Sequence, residues 1–153
     1  MHILILYSSR FGQTLKISQA LKHQWQDAGT QVTLENLEQA SALDLSQFDK
    51  IVIGASIRYG HFAKSLAAFT QAQTPALNHI PSAFFSVNIV ARKPNKNRPE
   101  TNPYLKKFLQ QIHWKPQLLA VFAGISRNKN TISLLHIHTF LPGLHLPGAI
   151  QHK

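Results

Sequence analysis

Hydroxyls and glycine crowd the stretch Ser8-Ser9-Arg10-Phe11-Gly12-Gln13-Thr14, which follows the apolar run HILILY at residues 2–7. Such a turn, opening onto a helix N-terminus, offers hydroxyl and backbone N–H donors in the number that a phosphate dianion takes. It is not a Walker A loop, because G-x-x-x-x-G-K-[ST] is absent, and it lacks the G-x-G-x-x-G of dinucleotide sites. An ordinary Ser-capped helix start would use the same residues only as caps and turns, and both readings stand at this point. A second stretch, Ala55-Ser56-Ile57-Arg58-Tyr59-Gly60-His61, sets an aromatic able to stack on a planar ligand beside a glycine that admits close backbone approach. A plain surface turn would look similar. His61 could accept a proton, although an exposed loop histidine is the favoured reading. A third stretch starts at Ser86-Val87-Asn88 and runs into Arg92-Lys93-Pro94-Asn95-Lys96-Asn97-Arg98. A basic run of this kind is as often a solvated loop as a site.

The elements around these stretches place them on one edge. Residues 2–7, 50–56, 81–88 and 118–124 are near-continuous apolar runs, as expected of strands buried on both faces, and QVTLENL at 31–37 alternates imperfectly, like an edge-side strand. Between them, residues 13–28 carry Leu15, Ile17, Leu21, Trp25 and Ala28 at helical spacing before Gly29. Residues 62–73 present Phe62, Leu66 and Phe69 with Pro75 as a stop, and YLKKFLQQIHW at 104–114 reads as a further helix. Strands alternating with helices imply right-handed crossovers and an α/β fold, a five-stranded parallel sheet with helices on both faces. Ligands of such sheets bind beyond the carboxyl ends of the strands, where the strand order reverses. Residues 8–14, 55–61 and 86–98 all fall at that edge.

At 153 residues and 44% hydrophobic, the chain suits one principal core. There is no cysteine, which excludes disulfides, thiolate zinc sites and thiol catalysis, so any redox chemistry needs a cofactor. No signal-peptide pattern opens the sequence and no apolar run approaches the ~20 residues that cross a bilayer, which favours the cytoplasm. The formal charge is +10, from sixteen Lys and Arg against six acids, and all six acids lie between residues 27 and 100. That balance suits nucleic acid, an anionic membrane surface or an acidic small molecule. The aromatic-interleaved basic motifs of common RNA-binding folds are missing, so no nucleic-acid partner is expected.

Three of these stretches carry a resemblance. On "YSSRFGQT", "IVIGASIRYGH" and "SAFFSVNIVARKP" the chain resembles the flavodoxin-like proteins, which bind FMN, and more closely the menaquinone-dependent protoporphyrinogen IX dehydrogenases. The likeness spans residues 1–124, implying a flavodoxin-like FMN-binding domain there. It implies that Ser8, Ser9, Arg10, Gly12, Gln13 and Thr14 hold the FMN phosphate. The isoalloxazine ring would then sit between Ser56, Ile57, Arg58, Tyr59 and Gly60 on one side and Ser86, Val87, Asn88, Ile89, Val90 and Ala91 on the other. The reaction implied is oxidation of protoporphyrinogen IX to protoporphyrin IX in haem synthesis, with electrons passing through FMN to a quinone. Arg58, Arg92 and Lys93 would draw the substrate's propionates, helped by Lys96 and Arg98. The same cations favour a reduced, anionic flavin. No side chain need act as a general base, because hydrogen transfer to flavin is the cofactor's chemistry, and no catalytic residue is assigned. The implied location is cytoplasmic, peripheral on the inner face of the cell membrane.

After Gly124 the resemblance fails. Residues 125–153 form a divergent tail with four histidines, two Pro-Gly pairs and no acid. A frameshift or truncation of a family gene is the favoured source, with the final helix missing. That loss would bare several hundred Å² of apolar sheet, on the order of a large exposed patch, and lower solubility. His136, His138, His145 and His152 lack a nearby Cys or acid, and no metal is expected. Besides the dehydrogenase, a non-catalytic flavodoxin-type electron carrier and an inactive truncated product stay open.

Overall fold

The first strand, β1 (His2–Ser8), sends Ile3 and Ile5 to one face and Leu4 and Leu6 to the other, and all four are fully buried. A strand with two dry faces must lie inside a sheet covered on both sides. The structure, a computed structural model, describes residues 1–8, 12–57, 60–87, 102–122, 137 and 140. Within them the chain runs β1, α1 (Gln13–Asp27), β2 (Gln31–Asn36), β3 (Lys50–Ser56), α2 (Lys64–Ala72), α3 (Thr74–His79), β4 (Ser82–Val87), α4 (Pro103–Gln111) and β5 (Leu118–Phe122). Two 3₁₀ turns, Leu37–Ala42 and Leu45–Gln47, connect β2 to β3. All strand pairs are parallel and the sheet order is β2-β1-β3-β4-β5. The five-stranded parallel sheet expected from the sequence is therefore present, with β2 at an edge.

Two elements differ from expectation. The second helix does end before Pro75, at Ala72, but Pro75 then sits in the first turn of α3, a helix not expected from the sequence. There its missing N–H costs no hydrogen bond and its fixed φ suits helix entry. Phe62, read as part of the second helix, precedes α2 and packs edge-to-face on Phe108 and Phe84, with centroids 5.0 and 5.5 Å apart.

Each sheet face has its own core. Leu4, Leu6, Ile51, Ile53 and Phe84 meet Leu66, Leu77, Leu105, Phe108 and Trp114 on one side. Ile3, Ile5, Val52, Ala83 and Phe85 meet Leu21 and Trp25 of α1 on the other, where Ile137 and Phe140 complete the cluster. One face of β1 and its neighbours was expected to lose part of its cover with a missing final helix. It is covered instead: Ile3, Ile5, Val52, Ala83 and Phe85 have no exposed surface, and Met1 is the one large exposed hydrophobic among the described residues. Phe140 is also tied to the amino end of β3, where the Lys50 ammonium donates to its carbonyl and lies 4.9 Å from its ring centroid. Burial pushes the Lys50 pKa down. The expected boundary at residue 124 and the expected absence of a last helix otherwise fall outside the described residues.

At the centre of the sheet, β3 approaches the Phe85 ring so closely that a Cβ on Gly54 would lie 2.0 Å from Cζ. Only glycine fits there without moving the ring. Gly54→Ala is expected to lose about 1–3 kcal/mol of stability in a denaturant titration, with partial recovery on adding Phe85→Leu. A Gly54→Ala variant as stable as the parent would contradict this packing.

Candidate functional site

The chain leaves β1 for β2 on one side and later returns to β3 on the other, so the crossovers diverge at the carboxyl ends of β1 and β3. A crevice opens where neighbouring connections part in this way. The register makes these ends level: Ser8 pairs with Ala55, and Ser56 with Val87. Just past the strands, the Ile57 N–H donates to the Val87 carbonyl at 2.9 Å, fastening the second expected loop to the third. Ser8, Ser56, Ile57, Ser86 and Val87 thus share one sheet edge.

Gly12, Gln13 and Thr14 stand at the start of α1, directly after β1. Gly12 occupies the N-cap in the left-handed region, φ 79°, and no side chain caps the helix. A glycine N-cap leaves the first helical N–H groups without a side-chain acceptor, where the helix dipole is positive. No acid occupies the first turn to take that role. The inward face of α1 begins with hydroxyls: Thr14 and Ser18 are completely buried, ahead of Leu21 and Trp25. Ser18 Oγ donates to the Thr14 carbonyl at 2.7 Å and is satisfied. Thr14 Oγ1 is buried with no hydrogen-bond partner.

That orphaned hydroxyl tests whether a phosphate-bearing cofactor suits the site. A buried, unpaired hydroxyl costs about 1–3 kcal/mol. Its position in the first turn of α1, just beyond the carboxyl end of the first strand, is where an anion would satisfy it. The residues present fit such a group, and the reading of Ser8–Thr14 as mere helix caps loses ground, because neither Gly12 nor Thr14 caps α1.

Of the residues expected at the site, Ser8, Gly12, Gln13, Thr14, Ser56, Ile57, Gly60, Ser86 and Val87 are described, and all belong to the carboxyl ends of β1, β3 and β4 or the turns that follow. Ser9, Arg10, Arg58, Tyr59, Asn88, Ile89, Val90, Ala91, Arg92 and Lys93 lie outside the described residues, as do Lys96, Arg98 and the tail histidines. One feature was not foreseen. A cleft of about 330 Å³ opens beside Gly60, between the start of α2 and the face of α4 that bears Tyr104, Lys107, Phe108 and Gln111. Their i, i+3, i+4, i+7 spacing is visible in the sequence, but the partner of that face is not.

A flavodoxin-domain family model matches residues 4–132, which include all three loops. The protoporphyrinogen IX dehydrogenase [quinone] of Escherichia coli (strain K12) is 43% identical over 127 residues, covering 83% of this chain and 70% of its own. The protein of the same name from Leishmania major is 42% identical over 123 residues, covering 79% of this chain and 53% of its own. Among solved structures, an archaeal flavodoxin superposes with a TM-score of 0.61 at 14% identity, over 90% of this chain and 95% of that one, a likeness of fold.

Thr14→Val keeps the side-chain shape and deletes the unpaired hydroxyl. Without ligand the variant is expected to melt no lower than the parent, gaining up to about 1 kcal/mol, while its affinity for FMN falls about tenfold or more. A thermal melt and a flavin titration on the same preparation check both arms.

Proposed function

The chain belongs to the flavodoxin-domain family, and from that membership we infer that it is an FMN-dependent protoporphyrinogen IX dehydrogenase that passes electrons to a quinone. Its 43% identity to the E. coli dehydrogenase supports the reaction. The observation that carries the cofactor is the buried, unpartnered Thr14 hydroxyl at the uncapped start of α1.

Ser8, Gly12, Gln13 and Thr14, with Ser9 and Arg10 of the same loop, hold the phosphate by hydroxyl and backbone N–H donors. Ser56, Ile57 and Gly60, with Arg58 and Tyr59, flank the ring on one side. Ser86 and Val87, with Asn88, Ile89, Val90 and Ala91, flank it on the other. When bound, FMN would supply the redox chemistry two electrons at a time, so that three rounds, each discharged to a quinone, complete the six-electron oxidation of one porphyrinogen. The chain's own part is to hold and orient. The Ile57–Val87 hydrogen bond fixes the points where the two flanking loops leave the sheet. Arg58, Arg92 and Lys93 attract the propionates of the substrate, an assignment supported by the basic composition of those two loops.

Menaquinone is the proposed acceptor. A lipid-soluble quinone requires access to the bilayer, and a net charge of +10 suits reversible attachment to an anionic leaflet. Among the described residues no helix is long and apolar enough to cross a membrane. The proposed location is accordingly the cytoplasm, with peripheral contact on the inner face of the cell membrane.

The test is anaerobic. FMN-loaded protein mixed with protoporphyrinogen IX is expected to lose its oxidised-flavin absorption near-stoichiometrically and to regain it on adding a menaquinone analogue. Reduction by dithionite but not by the porphyrinogen would assign the protein to electron carriage instead, and failure to bind flavin would end both readings.

A further inference from the structure

Apart from Gly60, the residues lining the cleft beside it have no part assigned in holding the cofactor, and their chemistry is specific. Phe62 and Phe108, packed edge-to-face, form its floor, and Tyr104 stands next to Gly60, whose added Cβ would lie 3.8 Å from the Tyr104 ring. Lys64 opens α2 on one wall and Lys107 projects from α4 on the other, both exposed, with His61 at the mouth. Among the described residues no acid lines it. The start of α2 has no side-chain cap either, so its positive end adds to the same potential. Aromatic floor and cationic rim together select an amphiphilic anion.

Size and position narrow the occupant further. Sites that enclose an entire drug-sized ligand run from about 300 to 1,000 Å³. At about 330 Å³, the cleft takes one edge of a tetrapyrrole and leaves the rest of the macrocycle outside. Because Gly60 belongs both to the cleft and to the loop that flanks the ring site, the excluded part lies toward that site. We propose that this cleft is a substrate subsite, in which a pyrrole edge rests on Phe62, Phe108 and Tyr104 while Lys64 and Lys107 pair with its propionate carboxylate. The assignment rests on the dehydrogenase reading and adds to it α2 and α4, elements that carry none of the cofactor contacts.

The experiment compares FMN-loaded wild type with Lys64→Gln, Lys107→Gln and the double variant. Lys106→Gln serves as the charge-matched control, since Lys106 is exposed on the same helix but outside the cleft. Each cleft substitution is expected to raise KM for protoporphyrinogen IX about threefold and the pair about tenfold, as exposed charge pairs allow. FMN affinity, kcat and the Lys106→Gln values stay near wild type. Binding of protoporphyrin IX, read by fluorescence, weakens in parallel, whereas binding of its dimethyl ester does not change. The subsite is overturned if the cleft variants match Lys106→Gln, or if free acid and ester weaken equally. It is also overturned if the variants lose only affinity for anionic phospholipid vesicles, which would make the occupant a headgroup. Wild-type protein that binds FMN but neither binds the porphyrin nor oxidises the porphyrinogen would refute the dehydrogenase reading itself, and the subsite with it. Normal turnover by unaffected variants refutes the subsite alone.

Discussion

Burial of β1 on both faces is the constraint from which the site follows. With Ile3 and Ile5 on one side and Leu4 and Leu6 on the other, the strand is stable only if helices cover both sides of the sheet. Right-handed crossovers can meet that demand only by running in opposite directions from β1, first toward β2 and then across to β3. The divergence leaves a crevice at Ser8 and Ser56. The same parallel arrangement brings every strand's carboxyl end to one edge, so loops far apart in sequence become neighbours. A functional site here is a geometric by-product of making a doubly covered sheet, and the residues placed in the crevice give it its chemistry.

Those residues divide the work by element. The start of α1 offers uncapped N–H groups and a buried hydroxyl, an arrangement that costs stability in the free chain and is relieved by an anion. Ile57, just past β3, is joined to Val87 at the end of β4 by a backbone hydrogen bond, so the spacing of these two strand ends is set by the sheet. Farther along the edge, α2 and α4 frame a cleft whose floor belongs to the apolar core itself, through Phe62 and Phe108. Under the proposed reading, cofactor anchoring, ring enclosure and substrate capture would fall to three different pairs of elements. Changes in one can leave the others intact.

How much of this was legible in the sequence depended on whether apolar side chains reported it. The runs at β1, β3, β4 and β5 announced buried strands because nearly every residue is apolar, and β2 showed its edge position by imperfect alternation. Helix α3 was hidden because Pro75 reads equally as a terminator or a first-turn residue. On α1, Leu21 and Trp25 were read correctly as core and Ile17 packs beside them, but the full burial of Thr14 and Ser18 was not foreseen. Periodicity scales reward hydrophobicity, and a buried hydroxyl carries no such signal. The coverage of the Ile3–Ile5 face by Ile137 and Phe140 was equally invisible, since those residues sit in a stretch without helical periodicity. Residue types alone marked Ser9, Arg58, Tyr59, Arg92 and Lys93 as candidates and the motif resemblance gave them roles; all five lie outside the described residues.

The central claim is that the start of α1 is an anchor for a flavin's phosphate. The most direct measurement is a pair of fluorescence titrations of the same protein with FMN and with riboflavin, which differ only in that phosphate. The account predicts that FMN binds about a hundredfold or more tightly than riboflavin, because a dianion there gains several charge-assisted hydrogen bonds. Equal affinity for the two flavins would contradict it.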